Sequence, residues 1–250
     1  MKKFLIPLFA LSVLLAGCGK STDTAANGGT SSSVQTGPFG FNGAMLSGKH
    51  TAVIKTSLGN ITVELDANAA PKSVTNFITL AKAGYYNGLL FYRVIPDLSV
   101  ETGDPNNDGT GGVSVFGQTF PDEMSAAAYG LDKHTLGEIA AGRPLTGPLE
   151  GKEDTTVQQY YESMGYAYDN KLPSIPMKRG ALVMANSGPN TNGSRFFITQ
   201  VDTPYMEGKY TVFGKVTEGM EVIDAMTKVE IGENDKPATD VTISGVEVQN

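Results

Sequence analysis

Short stretches in which apolar and polar residues alternate recur from residue 51 to the end of the chain, and they constrain the fold more than any other feature. Alternation with a period of two is typical of β-strands that bury one face. Residues 51–66 form a hairpin, because they alternate on both sides of the turn-rich tetrad 57–60. The other strand-like stretches lie at 89–95, 98–101, 179–187, 194–201, 210–217 and 241–249. The sequence therefore predicts a mainly β domain.

Two segments have the period of an amphipathic helix instead. Residues 70–86 carry Pro71 near the first helical position and Gly84 at the end. Residues 218–229 form the second segment. The apolar stripe runs through Val74, Phe77, Ile78 and Ala81 in the first segment, and through Met220, Ile223 and Met226 in the second. Many antiparallel strands, with two helices far apart in sequence, predict a barrel or a sandwich capped by helices.

The N-terminus has the pattern of a targeting segment. Lys2 and Lys3 precede an apolar run over residues 4–15, which is too short for a convincing membrane-spanning helix. The run ends in Leu-Ala-Gly-Cys, which resembles the lipobox of bacterial lipoproteins, in which the cysteine is acylated and becomes the new N-terminus. We expect a signal peptide over residues 1–17 and a lipid on Cys18. An ordinary signal peptide cut at small residues is the alternative.

Beyond Cys18, composition separates a tether from a folded domain. Residues 18–49 are dominated by Gly, Ser, Thr, Asn and Ala, which predicts a flexible tether. The folded domain is expected over residues 50–250. Cys18 is the only cysteine, which excludes disulfides. The net charge of −7 and the absence of a basic stripe argue against nucleic acid as a partner.

The residue pattern gives little support to metal or nucleophile chemistry. His50 and His134 are the only histidines, neither lies near an obvious nucleophile, and both are expected at the surface. Residues 104–109 match the first half of an EF-hand loop, but Val115 stands where the bidentate glutamate belongs. We expect a turn there, and neither a metal nor a cofactor.

A single arginine, Arg93, interrupts the apolar stretch 89–95. Burying a guanidinium costs several kcal/mol unless an opposite charge pairs with it. Taken alone, Arg93 is best interpreted as an edge-strand arginine with a packed stem and a solvated head. The acid Glu101 follows on the next predicted strand, which raises the question of whether the two charges belong together.

Two stretches with an unusual composition frame this arginine. The first is "FYRVIP" (91–96), with "GDP" (103–105) and "GTGG" (109–112) after it, and the second is "MANSGPNTNGSRFFIT" (184–199), with "VFGKV" (212–216) after it. "PKSVTNF" (71–77) and "GM" (219–220) belong to the same pattern. Together they resemble the cyclophilins, the peptidyl-prolyl cis/trans isomerases, from about residue 52 to residue 249. The resemblance implies an eight-stranded antiparallel closed barrel capped by two α-helices, with its active site on the outer face. A long inserted loop is expected at about 122–179.

The resemblance also implies roles for individual residues. Arg93 matches the catalytic arginine of the family, and Phe197 matches the floor of the proline pocket. Asn186 matches the residue whose backbone pairs with the substrate chain. The remaining predicted substrate-binding residues are Met184, Ala185, Leu98, Glu101, Arg195, Tyr205, Met206 and Tyr210.

The segment after Pro96 departs from the family pattern. Leu98 and Ser99 stand where phenylalanine and methionine are common, and Glu101 and Arg195 each stand where glutamine is common. Both glutamine positions lie close to the catalytic arginine in the family fold. We therefore hypothesise that Glu101 and Arg195 form a compensating pair and that Glu101 also orients Arg93. Two independent surface charges are the alternative.

Two functions follow from these residues. The first is a monomeric, lipid-anchored isomerase that assists folding of exported, proline-containing polypeptides on the extracytoplasmic side of a bacterial cell membrane. The second is a proline-peptide binding, chaperone or adhesion module that has kept the fold and lost most turnover, which the departures at Leu98, Ser99 and Glu101 leave open. The tyrosine-rich insertion over 122–179 either covers the groove, selects substrates or packs against the barrel.

Overall fold

The computed structural model describes residues 38–249. The predictions of a signal peptide, a lipidated Cys18 and most of the tether lie outside these residues. None of the helices between residues 38 and 249 has the length and apolar character needed to cross a bilayer.

Eight strands, all paired antiparallel, form one sheet in the order β3-β4-β6-β5-β7-β2-β1-β8. Their bounds are β1 (Lys49–Thr56), β2 (Gly59–Asp66), β3 (Arg93–Ile95), β4 (Ser99–Thr102), β5 (Ala181–Met184), β6 (Phe196–Thr199), β7 (Val212–Glu218) and β8 (Ile243–Gln249). The helices are α1 (Pro71–Lys82), α2 (Leu136–Ala140), α3 (Val157–Ser163) and α4 (Met220–Met226). The mainly β prediction and the eight antiparallel strands are confirmed.

The two ends of this strand order meet at a short seam next to β3 and β8. Leu90 and Thr242 form an isolated bridge. The Phe91 N–H donates to the Val241 carbonyl at 2.9 Å, and the Ile243 N–H donates to the Leu89 carbonyl at 2.8 Å. Among the described residues, a single bridge joins the two ends of the sheet at this seam, and no continuous ladder of paired residues does so. Full closure of the barrel therefore stays a prediction.

The alternation of β-strand side chains divides the sheet into two apolar faces. Inward-facing residues of the strands pack with α1 and α4 into the main core, in which Phe77 contacts the rings of Tyr86, Phe196 and Phe213. A second, smaller cluster lies on the other face of β5, β6 and β7. Its buried members are Met177, Ala181, Val183, Ala185, Phe197 and Val212. Strand β6 is buried on both faces, so Phe196 belongs to the main core and Phe197 to the outer cluster.

A distant carboxylate caps the N-terminus of α1. The N-cap residue of α1 is Ala70, whose side chain has no hydrogen-bonding atom. The carboxylate of Glu123 instead accepts from the backbone N–H groups of Lys72 at 2.7 Å and Ser73 at 2.8 Å, and from the Ser73 hydroxyl at 2.8 Å. Burial raises the pKa of Glu123, and these donors oppose the rise. The helix start thus depends on a residue about fifty positions later in the chain.

The segment between β4 and β5 contains structure of its own. Helices α2 and α3 each begin with a capping box, made by Thr135 with Glu138 and by Thr156 with Gln159. They enclose a small apolar cluster of Ala126, Leu131, Leu136 and Val157. Helix α3 lies in the tyrosine-rich part of this segment, and α2 was not predicted. The status of this segment as an insertion stays a prediction.

Candidate active site

A row of side chains crosses the outer face of three neighbouring strands. Arg93 on β3 pairs with Glu101 on β4, and Glu101 pairs with Phe197 on β6. Directly paired residues of antiparallel strands point to the same face, so these three side chains lie side by side. Their neighbours Val94, Val100 and Ile198 point into the main core. Strand pairing therefore brings Arg93 and Phe197 onto one face, although they lie far apart in the sequence.

These side chains line an open groove of about 180 Å³. Of the predicted site residues, the groove brings together Arg93, Leu98, Glu101, Ala185, Asn186, Arg195, Phe197, Met206 and Tyr210. Ile95 and Ser99 complete the lining. The sequence analysis did not predict Ile95 as a site residue. Its position two residues after Arg93 could have indicated it, because residues i and i+2 of a strand point to the same face.

Two predicted residues do not line the groove. Met184 pairs with Phe196 and is buried in the main core, so its prediction as a substrate-binding side chain is corrected. The reason is the period of the strand, which turns Val183 outward beside Phe197 and Met184 inward. Tyr205 lies next to Met206 in a 3₁₀ turn over Pro204–Met206, but it is 66% exposed and not part of the groove lining.

Arg93 lies between two carboxylates. Its Nε donates to Asp235 Oδ2 at 3.1 Å, and its Nη2 lies 3.1 Å from the same oxygen. Its Nη1 lies 3.8 Å from Glu101 Oε2. Nearly half of the Arg93 side chain is exposed, so the guanidinium is held along one edge while it still reaches the groove.

Glu101 is the centre of the charged cluster. Oε1 lies 3.7 Å from Arg195 Nη1 and accepts a hydrogen bond from the Tyr92 hydroxyl. Only 14% of the Glu101 side chain and 13% of the Arg195 side chain are exposed. Arg195 Nη2 also donates to the Ser187 hydroxyl at 2.8 Å. The hypothesised opposed pair therefore has its two charges in contact, where each offsets the desolvation cost of the other.

The phenol of Tyr92 lies in the same charged cluster, beside Glu101. Burial raises the pKa of its phenol well above the usual range, and the negative charge of Glu101 adds to the rise. Tyr92 therefore stays a neutral donor to Glu101 at any physiological pH. The hydrogen bond holds the Glu101 carboxylate in place between the two arginines.

The apolar part of the groove is built around Phe197. This ring is 5% exposed and meets Tyr210 edge to face, with centroids 5.7 Å apart and planes at 84°. Burial raises the pKa of Tyr210, and Glu101 raises it further whereas Arg93 lowers it. Phe197 thus offers an apolar floor a short distance from the Arg93 charge, with Met206 on the wall.

Asn186 is held through its side chain. The amide Nδ2 donates to the Lys209 carbonyl at 2.9 Å and to Asp122 Oδ1 at 3.2 Å. Within residues 38–249, no hydrogen bond engages the backbone N–H or C=O of Asn186. Asn186 lines the groove, so its two backbone groups without a partner belong to a residue of the groove lining.

The turn that resembles half of an EF-hand uses its first carboxylate locally. Asp104 is buried, and its oxygens accept from the backbone N–H groups of Asn106 at 2.7 Å and Gly109 at 2.6 Å. These bonds within the loop support the interpretation as a turn.

Asp235 is the functional candidate that sequence reasoning missed. It lies between α4 and β8, in a stretch without periodicity. Nothing in its sequence surroundings links it to Arg93, which is 142 residues away. Only the three-dimensional structure brings the two side chains together.

Comparison with known proteins gives a consistent result. The family model described as "Cyclophilin type peptidyl-prolyl cis-trans isomerase/CLD" matches residues 51–248. The chain is 40% identical over 191 residues to the peptidyl-prolyl cis-trans isomerase-like 1 of Aspergillus fumigatus, covering 76% of this chain and 90% of that protein. The corresponding protein of Neurospora crassa is 38% identical over 190 residues, covering 76% of this chain and 88% of that protein.

Solved structures are similar as well. A cyclophilin type peptidyl-prolyl cis-trans isomerase of Cryptosporidium parvum superposes with a TM-score of 0.59 and 25% identity, covering 81% of this chain and 98% of that one. A second crystal structure of that protein, obtained in the presence of the dipeptide Ala-Pro, gives a TM-score of 0.58 and 25% identity. It covers 80% of this chain and 99% of that one.

Proposed function

Because this chain belongs to the family of cyclophilin-type peptidyl-prolyl cis-trans isomerases, we propose that its groove between Arg93 and Phe197 binds proline-containing segments of exported polypeptides and isomerises them. The observation that carries the proposal is the pairing of Arg93, Glu101 and Phe197 in one row, with a cation at one end and an apolar floor at the other. A proline ring is apolar, and its preceding amide is polar. The two ends of the row match these two parts.

The chemistry required of such a site is rotation about one bond. A peptide bond resists rotation with a barrier of about 18–20 kcal/mol, because resonance gives it partial double-bond character. At X-Pro bonds both isomers are populated and exchange over about 10–100 s without a catalyst. No covalent bond breaks, so no nucleophile is needed.

Arg93 supplies the selective interaction in this proposal. As the bond twists, the lone pair localises on the prolyl nitrogen. A guanidinium that donates toward that nitrogen or to the prolyl carbonyl stabilises the twisted amide more than the planar one. An acceleration of about 10⁵ requires about 7 kcal/mol of selective stabilisation. Arginine suits the role because it stays protonated and presents a rigid planar fork.

Phe197 and Asn186 bind the substrate in this proposal. The proline ring packs on Phe197, walled by Met206 and Tyr210, and the free backbone groups of Asn186 pair with the substrate chain. The crystal structure of the Cryptosporidium relative obtained with Ala-Pro supports a proline-containing ligand for this fold. In this proposal the protein acts as a monomer, since the reaction needs no group beyond the cation and the apolar floor of this groove.

The proposed location is the outer face of a bacterial cell membrane, where Cys18 carries the lipid. Its support is the N-terminal sequence alone, with two lysines, an apolar run and Leu-Ala-Gly-Cys in succession. We predict that the protein is recovered with membranes, incorporates labelled palmitate, and loses both properties in Cys18→Ala. A Ser21→Ala variant of the tether is the control. Label that persists in Cys18→Ala would contradict the anchor.

A protease-coupled assay with a proline-containing peptide tests the catalytic role of Arg93. We use the full chain in detergent and compare wild type with Arg93→Ala and with a surface control, Arg143→Ala. Arg93→Ala is expected to lose about 100-fold or more in kcat/KM, as for removal of one electrostatic donor from a site. Arg143→Ala is expected to keep the wild-type rate, because Arg143 is exposed and lies in the segment between β4 and β5.

The same assay decides between an isomerase and a binding module. Glu101 lies 3.8 Å from Arg93 and competes with substrate for the guanidinium, which is the observation that favours slow turnover. If wild type and Arg93→Ala show equal rates while a proline peptide still binds, the binding function replaces the catalytic one.

A further inference from the structure

Asp235 holds the guanidinium of Arg93 from outside the groove, and we propose that it is a positioning residue for the isomerase reaction. The proposal rests on the proposed function of Arg93. It concerns a loop that the groove does not include, the connection between α4 and β8.

The contact is directed at one edge of the guanidinium. Asp235 Oδ2 lies 3.1 Å from Nε and 3.1 Å from Nη2 of Arg93. A single oxygen close to both nitrogens holds this edge of the guanidinium. Nη1 is left with one longer approach, 3.8 Å to Glu101.

The two carboxylates lie on opposite sides of Arg93. Glu101 lines the groove and Asp235 does not. Asp235 instead lines a separate cavity of about 460 Å³, to which Arg93 also contributes. The nitrogen nearest to Glu101 is therefore the one that faces the substrate. Asp235 occupies the edge that substrate does not need, so its bond persists while Nη1 acts on the amide.

The loop that carries Asp235 is itself held in place. Ile231 and Pro237 form a bridge, and the Gly232 N–H donates to the Lys236 carbonyl at 2.8 Å. Asn234 and Asp235 both have left-handed backbone, with φ of 58° and 59°. Non-glycine residues adopt this conformation at a cost. The tight turn aims the Asp235 carboxylate at Arg93.

This arrangement explains how a half-exposed arginine can be ordered enough for catalysis. A free arginine side chain samples many rotamers, and misplacement of a catalytic group lowers the rate without weakening substrate binding elsewhere. Phe197 and Asn186 do not contact Asp235, so a loss of Asp235 is expected to lower kcat and to leave KM nearly unchanged.

The test compares Asp235→Asn with Asp240→Asn in the full chain. Asp240 is exposed, lies in the same connection and forms no ion pair among the residues 38–249. We expect Asp235→Asn to lose about 5-fold in kcat, the factor that corresponds to the strongest exposed ion pairs. Raising the salt concentration should reduce the wild-type kcat toward that of Asp235→Asn, because salt screens the pair. Asp240→Asn should behave as wild type.

A second readout reports the contact without any activity. The Nε–H resonance of Arg93, assigned by its loss in Arg93→Ala, should be protected from solvent exchange in wild type and unprotected in Asp235→Ala, which removes both acceptor oxygens. Asp235→Glu, which keeps the charge on a longer side chain, should restore part of the protection.

The outcomes separate this inference from the proposed function. If wild type is no faster than Arg93→Ala, the proposed function fails, and the Nε–H resonance still decides whether Asp235 holds Arg93. If wild type is active and Asp235→Asn has the same kcat and salt dependence, the inference is overturned and the function stands. If Asp235→Asn does not fold, an unprotected Nε–H in the wild type overturns the inference.

Discussion

Arg93 gains its chemistry from residues that are remote in sequence. Phe197 and Glu101 meet it through strand pairing, and Asp235 meets it through a loop. The first two were predictable, because motifs around Arg93 and Phe197 are similar to one family. Asp235 was not, because it has no motif and no periodic neighbours. Met184 was assigned to the groove although strand register, which the motif does not state, turns it into the core.

The charged pair in the groove is open to a direct test at this scale. Glu101 and Arg195 lie 3.7 Å apart and are largely buried. We predict that Glu101→Gln and Arg195→Gln each destabilise the protein by about 3 kcal/mol, because each removes an opposite charge from a largely buried partner. The double variant should recover at least about 1 kcal/mol of that loss.

Urea unfolding of wild type, the two single variants and the double variant measures this coupling. Glu247→Gln is the control, because Glu247 pairs with Lys55 in a largely exposed ion pair. Effects of the two groove substitutions that simply add would show that Glu101 and Arg195 act independently.

At the scale of elements, hydrophobic periodicity predicted the strands and the two capping helices, whereas a segment without periodicity still contained helices. The strand-like stretches overlap all eight strands, with ends that differ by one or two residues at β1, β4 and β7, and the two amphipathic segments contain α1 (Pro71–Lys82) and α4 (Met220–Met226). Residues 122–179 have no clean period, so α2 was missed. A capping box and the packing of Leu136 in a small apolar cluster stabilise this helix. Its five residues are too few to show a helical period in the sequence.

The hydrogen bonds at the start of α1 give a prediction about this helix and about the segment between β4 and β5, which carries Glu123. Glu123 accepts two backbone N–H groups at the N-terminus of this helix. We predict that Glu123→Gln lowers the free energy of unfolding by about 1–3 kcal/mol, because an amide has one acceptor oxygen and leaves a buried donor unpaired.

Thermal unfolding measures the Glu123 effect, with Glu150→Gln as a control in an exposed part of the same segment. Equal midpoints for the two variants would mean that the cap contributes nothing. A large loss for Glu123→Gln would show that the segment between β4 and β5 supports the helix.

At the scale of the whole molecule, two apolar layers share one set of strands. The main core fills the inner face, and the outer cluster around Phe197 supports the groove. Because β6 contributes Phe196 to one and Phe197 to the other, groove geometry is coupled to core packing. Large-to-small changes at Phe77 or Phe213, which contact Phe196, are therefore expected to disturb the groove as well.

The seam beside β3 has a consequence for where the sheet opens locally. Leu90 and Thr242 are joined there by one bridge, whereas β1 pairs with β8 over most of its length. Local opening favours the region with the fewest hydrogen bonds. Amide deuteration should therefore be faster in peptides covering residues 88–92 and 241–243 than in those covering 181–184, and equal rates would contradict this. The sheet would then open more readily beside β3, the strand that carries Arg93, than at its centre.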